Sequence, residues 1–277
     1  QLDSTDQMIQ VERVRMIREL RNNQKSLETS LLEMSTQIEV LFNKFQDIEM
    51  AVEAAEKVND MQQKLLEIKE KQEKYCSHER LFEFEPQQSK SLARIAEEFT
   101  PLHMAWNLAN DWLYMSTNWY DTPFPQIKPD AMNTFMIQAT KKITKLKKDL
   151  QAHPKMIEKV LIPLGEQIEK FKTNLPLISK LRHPGIKTKH WEKISKIVGF
   201  DVMPSMELTL QGFLDLDLGR WNEQITEIAN VAAQEYNIES ALDQMDAELQ
   251  TRLFSTSEFR DTGQFILVDV DEIVSLI

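Results

Sequence analysis

From Ile17 to Val52, apolar side chains recur alternately three and four residues apart: Ile17, Leu20, Leu27, Leu31, Met34, Ile38, Leu41, Phe45, Ile48 and Val52, with Gln24 alone interrupting the row. That spacing keeps one stripe of a helix apolar over about five heptads, the pattern of a coiled coil. Val58, Met61, Leu65, Ile68, Gln72 and Tyr75 resume it after an extra three-residue step through Ala55. Such a step either overwinds a coiled coil or marks where one helix ends and the next begins. The flanking positions Met16, Arg21, Glu28, Phe42, Lys44 and Glu49 offer few complementary charges. Packing within one chain is therefore expected over a parallel dimer, as an antiparallel helix pair or against the helices that follow.

Phe82-Glu83-Phe84-Glu85-Pro86 ends this region, Pro86 being the first proline. One unbroken helix to about residue 80 would span roughly 120 Å. Residues 88–120 carry a second helical pattern, rich in aromatics: Phe99, Leu102, Trp106, Trp112, Leu113, Trp119 and Tyr120. At helical spacing these tryptophans are expected in the core and not in a cation box. A stiff proline loop from Asp121 to Pro129 follows, since each proline ring fixes φ and removes a donor. The pattern predicts a helix from Asp130 to about His153, another from Pro154 to about Asn174, and shorter ones near 176–182, 188–198, 207–216, 219–234 and 237–249. Leu249 to Ser255 and Gln264 to Val268 bracket Asp261-Thr262-Gly263, the grammar of a β-hairpin at about 249–268. The expected fold is all-α, an elongated helical bundle or rod with an N-terminal coiled-coil-like long helix or helix pair and one small β-hairpin.

Composition narrows the functions open to such a body. Of 277 residues only 6 are glycine, all at or after Gly165. No G-x-G-x-x-G or G-x-x-x-x-G-K-[ST] occurs, so no nucleotide site of the usual phosphate-cradling kinds is expected. The single cysteine, Cys76, excludes an internal disulfide framework and a cysteine-based zinc site, and points to a reducing compartment. No apolar run approaches the ~18 residues of a membrane span, and no basic-then-apolar signal pattern opens the chain. A soluble intracellular protein is expected, and a fragment of one, because Met is absent at the start and Ile277 lies in an apolar run.

The net charge of −11 is segmented: −8 over residues 1–127, +10 over 128–196 and −13 over 197–277. The basic stretch carries Lys141, Lys142, Lys145, Lys147 and Lys148 around Ile143 and Leu146, as a solvated helix face would. No aromatic interleaves them as base stacking requires, so neither nucleic acid nor membrane is an expected partner.

No catalytic constellation emerges. Asp261-Thr262-Gly263 matches the short signature of an aspartic protease, but that chemistry needs two carboxylates sharing a proton and only one copy is present, so it reads as turn chemistry. Histidines 78, 103, 153, 183 and 190 form no H-E-x-x-H and no metal-ligand spacing. Cys76 and His78, two apart on a helix, point to different faces. Paired carboxylates such as Asp215 and Asp217 are explained by a solvated surface. No catalytic, cofactor-binding or metal-binding residue is assigned.

The distinctive wording lies at Leu175-Pro176-Leu177-Ile178, Leu181-Arg182-His183-Pro184-Gly185, His190-Trp191 and Val198-Gly199-Phe200. In order, it resembles the linker region of dynein heavy chains, whose pattern reads L-P-L-I, L-R-N-P-G, H-W and V-G-F. Leu208-Thr209-Leu210, Glu235-Tyr236, Ala241-Leu242, Asp261-Thr262-Gly263-Gln264-Phe265-Ile266-Leu267 and Val270-Asp271-Glu272-Ile273 continue the resemblance, and Leu81-Phe82, Pro86 and Glu98 to Trp106 precede it. It covers roughly residues 76–277. His183 stands where Asn is usual, and Gln264-Phe265 where Thr-Tyr is common. The wording is closer to axonemal than to cytoplasmic dyneins.

The resemblance implies residues 1–78 as the end of the tail and 79–277 as the N-terminal part of the linker. In that family the linker is a helical lever lying across a ring of six AAA+ modules, and ATP hydrolysis with magnesium in the ring drives it between bent and straight states. The implied partners are the chain's own downstream ring, intermediate or light chains through the tail, and microtubules indirectly. The implied location is the cytoplasmic cytoskeleton, in the axoneme of a cilium or flagellum. Leu181, Arg182, Pro184, Gly185, His190 and Trp191 are the candidate ring-facing or structural motif, together with part of 207–220. Asp261, Thr262 and Gly263 form the hairpin turn. A coiled-coil tether or scaffold is the alternative function.

Overall fold

The N-terminal heptads fold back on themselves. In the computed structural model, which describes residues 2–251 and 255–268, α1 (Leu2–Lys44) and α2 (Ala51–Leu81) are separate helices joined by a six-residue turn. Asp47 shapes that turn by accepting the Glu49 N–H on its side chain (3.3 Å) ahead of the single 3-10 turn Ile48–Met50. The pair is antiparallel, as shown by Lys44 Nζ lying 2.8 Å from Glu53 Oε1 near the turn and Gln24 Nε2 2.8 Å from Glu79 Oε1 far from it. Leu20, Leu27, Leu31, Met34, Ile38 and Leu41 are buried on α1, and Ala54, Val58, Met61, Leu65 and Ile68 on α2. Of the two outcomes open at the Ala55 step, the helix break is realised, a few residues earlier at Phe45–Met50. Val52 is exposed and Tyr75 half-buried, and the buried stripe of α2 continues instead through Gln72, Cys76 and Glu79.

Two compact units organise the chain: the first comprises Gln1–Tyr120 and Ala131–Thr173, the second Asp121–Asp130 and Asn174–Ile277. In the first unit α3 (Lys90–Asp121) buries Trp106, Trp112 and Trp119, so the tryptophans are core as expected. Phe171 meets Trp112 and Tyr120 edge to face at 5.9 and 5.5 Å, and Trp112 Nε1 donates to Gln167 Oε1 at 3.0 Å. α4 (Pro129–Asp149) buries Met132, Met136, Ala139, Ile143 and Leu146, leaving Lys141, Lys142, Lys145 and Lys148 exposed. α5 occupies 154–172 and contains the π-helical turn Ile157–Leu161, which ends two residues before Pro163, whose missing N–H an unbroken α-helix would have required.

In the second unit α6 (Leu175–Leu181), α7 (Thr188–Val198) and α8 (Leu210–Asp215) are short, and α9 (Asn222–Thr251) is long. The two helices expected at 219–234 and 237–249 are one continuous helix, since no glycine or proline interrupts the chain between Gly219 and Thr251. α7 ends in a left-handed cap at Gly199 (φ 91°), whose N–H donates to the Ser195 carbonyl at 2.9 Å. The hairpin is present, with β1 (Ser255–Glu258) antiparallel to β2 (Phe265–Val268) and Ser255 opposite Val268. Residues 249–251, expected at its start, belong to the end of α9. The continuation Val270 to Ile273 lies outside the described residues. Among the described residues no helix is long and apolar enough to cross a membrane, and no three His, Cys, Asp or Glu side chains cluster as metal ligands.

Candidate functional site

The motif residues of the second unit form a tightly built turn between α6 and α7. Leu181 is the last, buried residue of α6. The chain then reverses through His183, whose carbonyl accepts the Ile186 N–H (3.0 Å) and whose Nδ1 accepts the Gly185 N–H (3.1 Å). Pro184 is exposed at the apex. Lys187 is extended and starts α7 through a reciprocal pair: its N–H donates to His190 Nδ1 at 3.0 Å, and the His190 N–H donates to its carbonyl at 2.9 Å. A histidine accepting on Nδ1 is the tautomer protonated on Nε2. That Nε2 is fully buried and 3.2 Å from Glu235 Oε2, but the carboxylate lies off its N–H direction and completes no hydrogen bond.

This turn is fastened to α9. A Cβ built on Gly185 would stand 2.4 Å from the Ala232 carbonyl oxygen and 2.8 Å from Tyr236 Cβ, closer than real Cβ atoms come. Only glycine permits that approach. The His183 ring meets Tyr236 edge to face at 5.5 Å. Lys187 Nζ donates to both carboxylate oxygens of Glu239 (2.7 and 2.6 Å), and Lys189 Nζ lies 2.7 Å from Glu235 Oε2. The bond from Lys189 holds the Glu235 carboxyl below its ordinary range, and the bond to Glu239 raises the Lys187 ammonium.

The other side of the motif grips the proline loop. Arg182 Nε donates to the Ile127 carbonyl at 3.1 Å while its guanidinium carbon sits 6.0 Å from the centre of the Phe124 ring. Partial burial lowers the Arg182 pKa. Phe124 is fully buried, stacks on Phe213 at 3.9 Å and meets Trp191 edge to face at 6.1 Å. The loop is pinned to the segment before α8, with the Phe124 N–H donating to the Leu208 carbonyl (2.8 Å) and the Leu210 N–H to the Thr122 carbonyl (2.9 Å). Thr209 then caps α8 by accepting the Gly212 N–H on Oγ1.

The structure thus brings Leu181, Arg182, Gly185, His190 and Trp191 together with Leu208-Thr209-Leu210, and Trp191 is core, 5% exposed. It keeps Asp261, Thr262 and Gly263 apart, at the exposed tip of the hairpin, where Arg260 and Asp261 also adopt positive φ and the Gly263 N–H donates to Glu258 Oε1 at 2.9 Å. Sequence reasoning missed Phe124 as the hub, the Ile127 carbonyl, and Glu239 as an anchor. One signal pointed to the anchor: between Asn222 and Thr251 every charged residue is acidic, so neutralising lysines had to come from elsewhere. Nothing in the arrangement presents a nucleophile, a base and an open cavity together; its contacts join the turn to the proline loop and to α9.

Residues 92–277 match the family model "Dynein heavy chain, N-terminal region 2". The chain belongs to the dynein heavy chain family. It is similar to human dynein axonemal heavy chain 1, 32% identical over 231 residues, covering 83% of this chain and 5% of that protein. Human dynein axonemal heavy chain 3 is 30% identical over 227 residues (80% and 5%), and human dynein axonemal heavy chain 12 is 27% identical over 283 residues (99% and 9%). This dynein chain therefore spans less than a tenth of the length of these relatives. The matched region contains the whole clamped turn, and it begins inside α3, downstream of the helical hairpin.

Proposed function

We propose that this chain is the passage from tail to linker of an axonemal dynein heavy chain and that it works as a mechanical lever, non-catalytic in itself. The observation that carries this reading is the family match from residue 92 to 277. The hairpin region up to about residue 78 is then the end of the tail, and 79–277 the first part of the linker. ATP hydrolysis with magnesium belongs to AAA+ modules elsewhere in the heavy chain, and it drives the linker between bent and straight states to move the motor along microtubules of a cilium or flagellum. Intermediate or light chains bind through the tail.

The clamped turn suits that role. A lever must pass displacement on without internal yielding, and Arg182, Gly185, Lys187 and Lys189 bind three separate segments into one packed body, which deforms little. The exposed side of the turn at Pro184 is its ring-facing surface. A tether or scaffold that dimerises through residues 1–75 is the weaker reading, because the buried seam of α1 is already matched by that of α2.

The test is made in the full heavy chain with Arg182→Ala, Lys187→Glu and Lys189→Glu combined. Microtubule gliding should fall several-fold while basal ATP hydrolysis is retained. Unchanged gliding by a correctly folded variant overturns the assignment.

A further inference from the structure

The row of apolar positions is broken at Gln24 on α1 and at Gln72 on α2, and both interruptions reach Gln87, Gln24 through the buried carboxylate of Glu79 and Gln72 directly at the backbone carbonyl. Glu79 is 6% exposed. Its Oε1 accepts the Gln24 side-chain amide at 2.8 Å, and its Oε2 accepts the backbone N–H of Gln87 at 2.9 Å. Gln72 Nε2 donates to the Gln87 carbonyl at 2.8 Å and lies 3.4 Å from the buried Cys76 sulfur. Gln87 belongs to the 82–89 connection between α2 and α3, so one carboxylate ties the axial position of α1 to that connection. Two further contacts repeat the tie: Arg13 donates to the Phe82 carbonyl (3.5 Å), and Ser89, whose hydroxyl caps α3 at Leu92, donates to Glu28 Oε1 (2.7 Å).

We propose that Gln24, Gln72 and Glu79 are a register lock: they select one axial alignment of α1 against α2 and couple it to the seating of the 82–89 connection. The apolar seam cannot make this choice, because leucines and methionines spaced three and four apart repeat themselves after a heptad and a slipped pair buries nearly the same surface. A buried polar contact does make it, because a slip leaves the carboxylate desolvated and without its donor. Axial load on α1 is therefore delivered to the start of α3 without slippage, and a slip of α1 unseats the connection.

The experiment uses the whole chain with spin labels at the exposed positions 18 and 80, read by pulsed electron resonance, and hydrogen exchange at the Gln87 amide. The parent should give one narrow distance. Gln24→Leu should broaden or split it, in steps of about one heptad, ~10 Å, and should speed Gln87 exchange at least tenfold although neither Glu79 nor Gln87 is altered. Because Glu79→Leu strands the Gln24 amide and the Gln87 N–H without an acceptor, the decisive variant is the exchange of partners, Gln24→Glu with Glu79→Gln. There the new amide at 79 can donate to the new carboxylate at 24 and still accept from the Gln87 N–H through its carbonyl. Restoration of the narrow distance and slow exchange supports the lock. A single unchanged distance in Gln24→Leu, or a partner exchange that behaves no better than Gln24→Leu, overturns it.

Discussion

Gly185 sits against the backbone of Ala232 so closely that a single added carbon would lie 2.4 Å from the carbonyl oxygen of that residue. The obstacle is helix backbone and not the end of a flexible side chain, so the turn or α9 has to move. Gly185→Ala should therefore destabilise the second unit by about 1–3 kcal/mol, the range of overpacked sites. Gly165 is the comparison: it lies inside a helix with nothing within 4 Å of an added Cβ. Gly165→Ala should stabilise by about 0.5–1 kcal/mol. Urea unfolding of both variants checks the contrast in sign.

Phe124 holds Phe213, Trp191 and Arg182 around one ring. Phe124→Ala should cost about 3–5 kcal/mol, as truncation of a fully buried aromatic does, and should free the Arg182 side chain. Denaturant unfolding gives the loss, and the near-ultraviolet circular dichroism of the packed aromatic residues should weaken.

The Lys189 to Glu235 contact makes part of the clamp acid-sensitive. Glu235 has a folded-state pKa below its ordinary value of 4.5, chiefly through its bond with Lys189. Its contribution is complete at neutral pH, begins to fall as pH drops through about 4.5, and is gone beneath the lowered folded value. Lys187, raised by Glu239, behaves oppositely: its contribution holds through neutrality and is lost only as pH rises past 10.5 and through the raised value. The melting temperature of Lys189→Gln should lie below that of the parent between about pH 6 and 9 and converge on it once pH has fallen beneath the lowered folded value of Glu235. Circular dichroism melts across pH measure both.

Leu31 is 1% exposed in the seam of the α1 and α2 pair. Leu31→Asp buries an unpaired charge and should cost about 4 kcal/mol or more. Because the seam closes within one chain, sedimentation should report a 32.4 kDa monomer for parent and variant alike, while helical signal falls in the variant alone. A parent dimer that Leu31→Asp dissociates would contradict the intramolecular pairing.

Much of this architecture was legible because it depends on local spacing. Heptads, proline punctuation and aromatic periodicity act over a few residues, so the helical class, the helices at 88–120 and 188–198 and the core tryptophans could be read directly. The place where α1 ends was less legible. The pattern showed a phase change near Ala55, but the turn lies at Phe45–Met50, where Asp47 caps the next element and Phe45 and Ile48 are buried. The join between 219–234 and 237–249 was missed, although Glu235 to Glu239 continue one helix. Glu239 and Glu235 there receive Lys187 and Lys189.

By itself the sequence determined that this dynein chain is helical, almost free of glycine, divided into charged blocks, and worded along residues 175–267 as its family is, because propensity, periodicity and composition are properties of neighbouring residues. The tertiary structure alone decided which residues separated along the chain stand together: Gly185 on Ala232, Arg182 on Ile127, Phe124 beneath Trp191, and Gln24 with Gln87 on Glu79. Those pairings follow from how helices with their apolar stripes buried leave particular backbone atoms and carboxylates to be satisfied, and no periodicity in one segment carries that information about another.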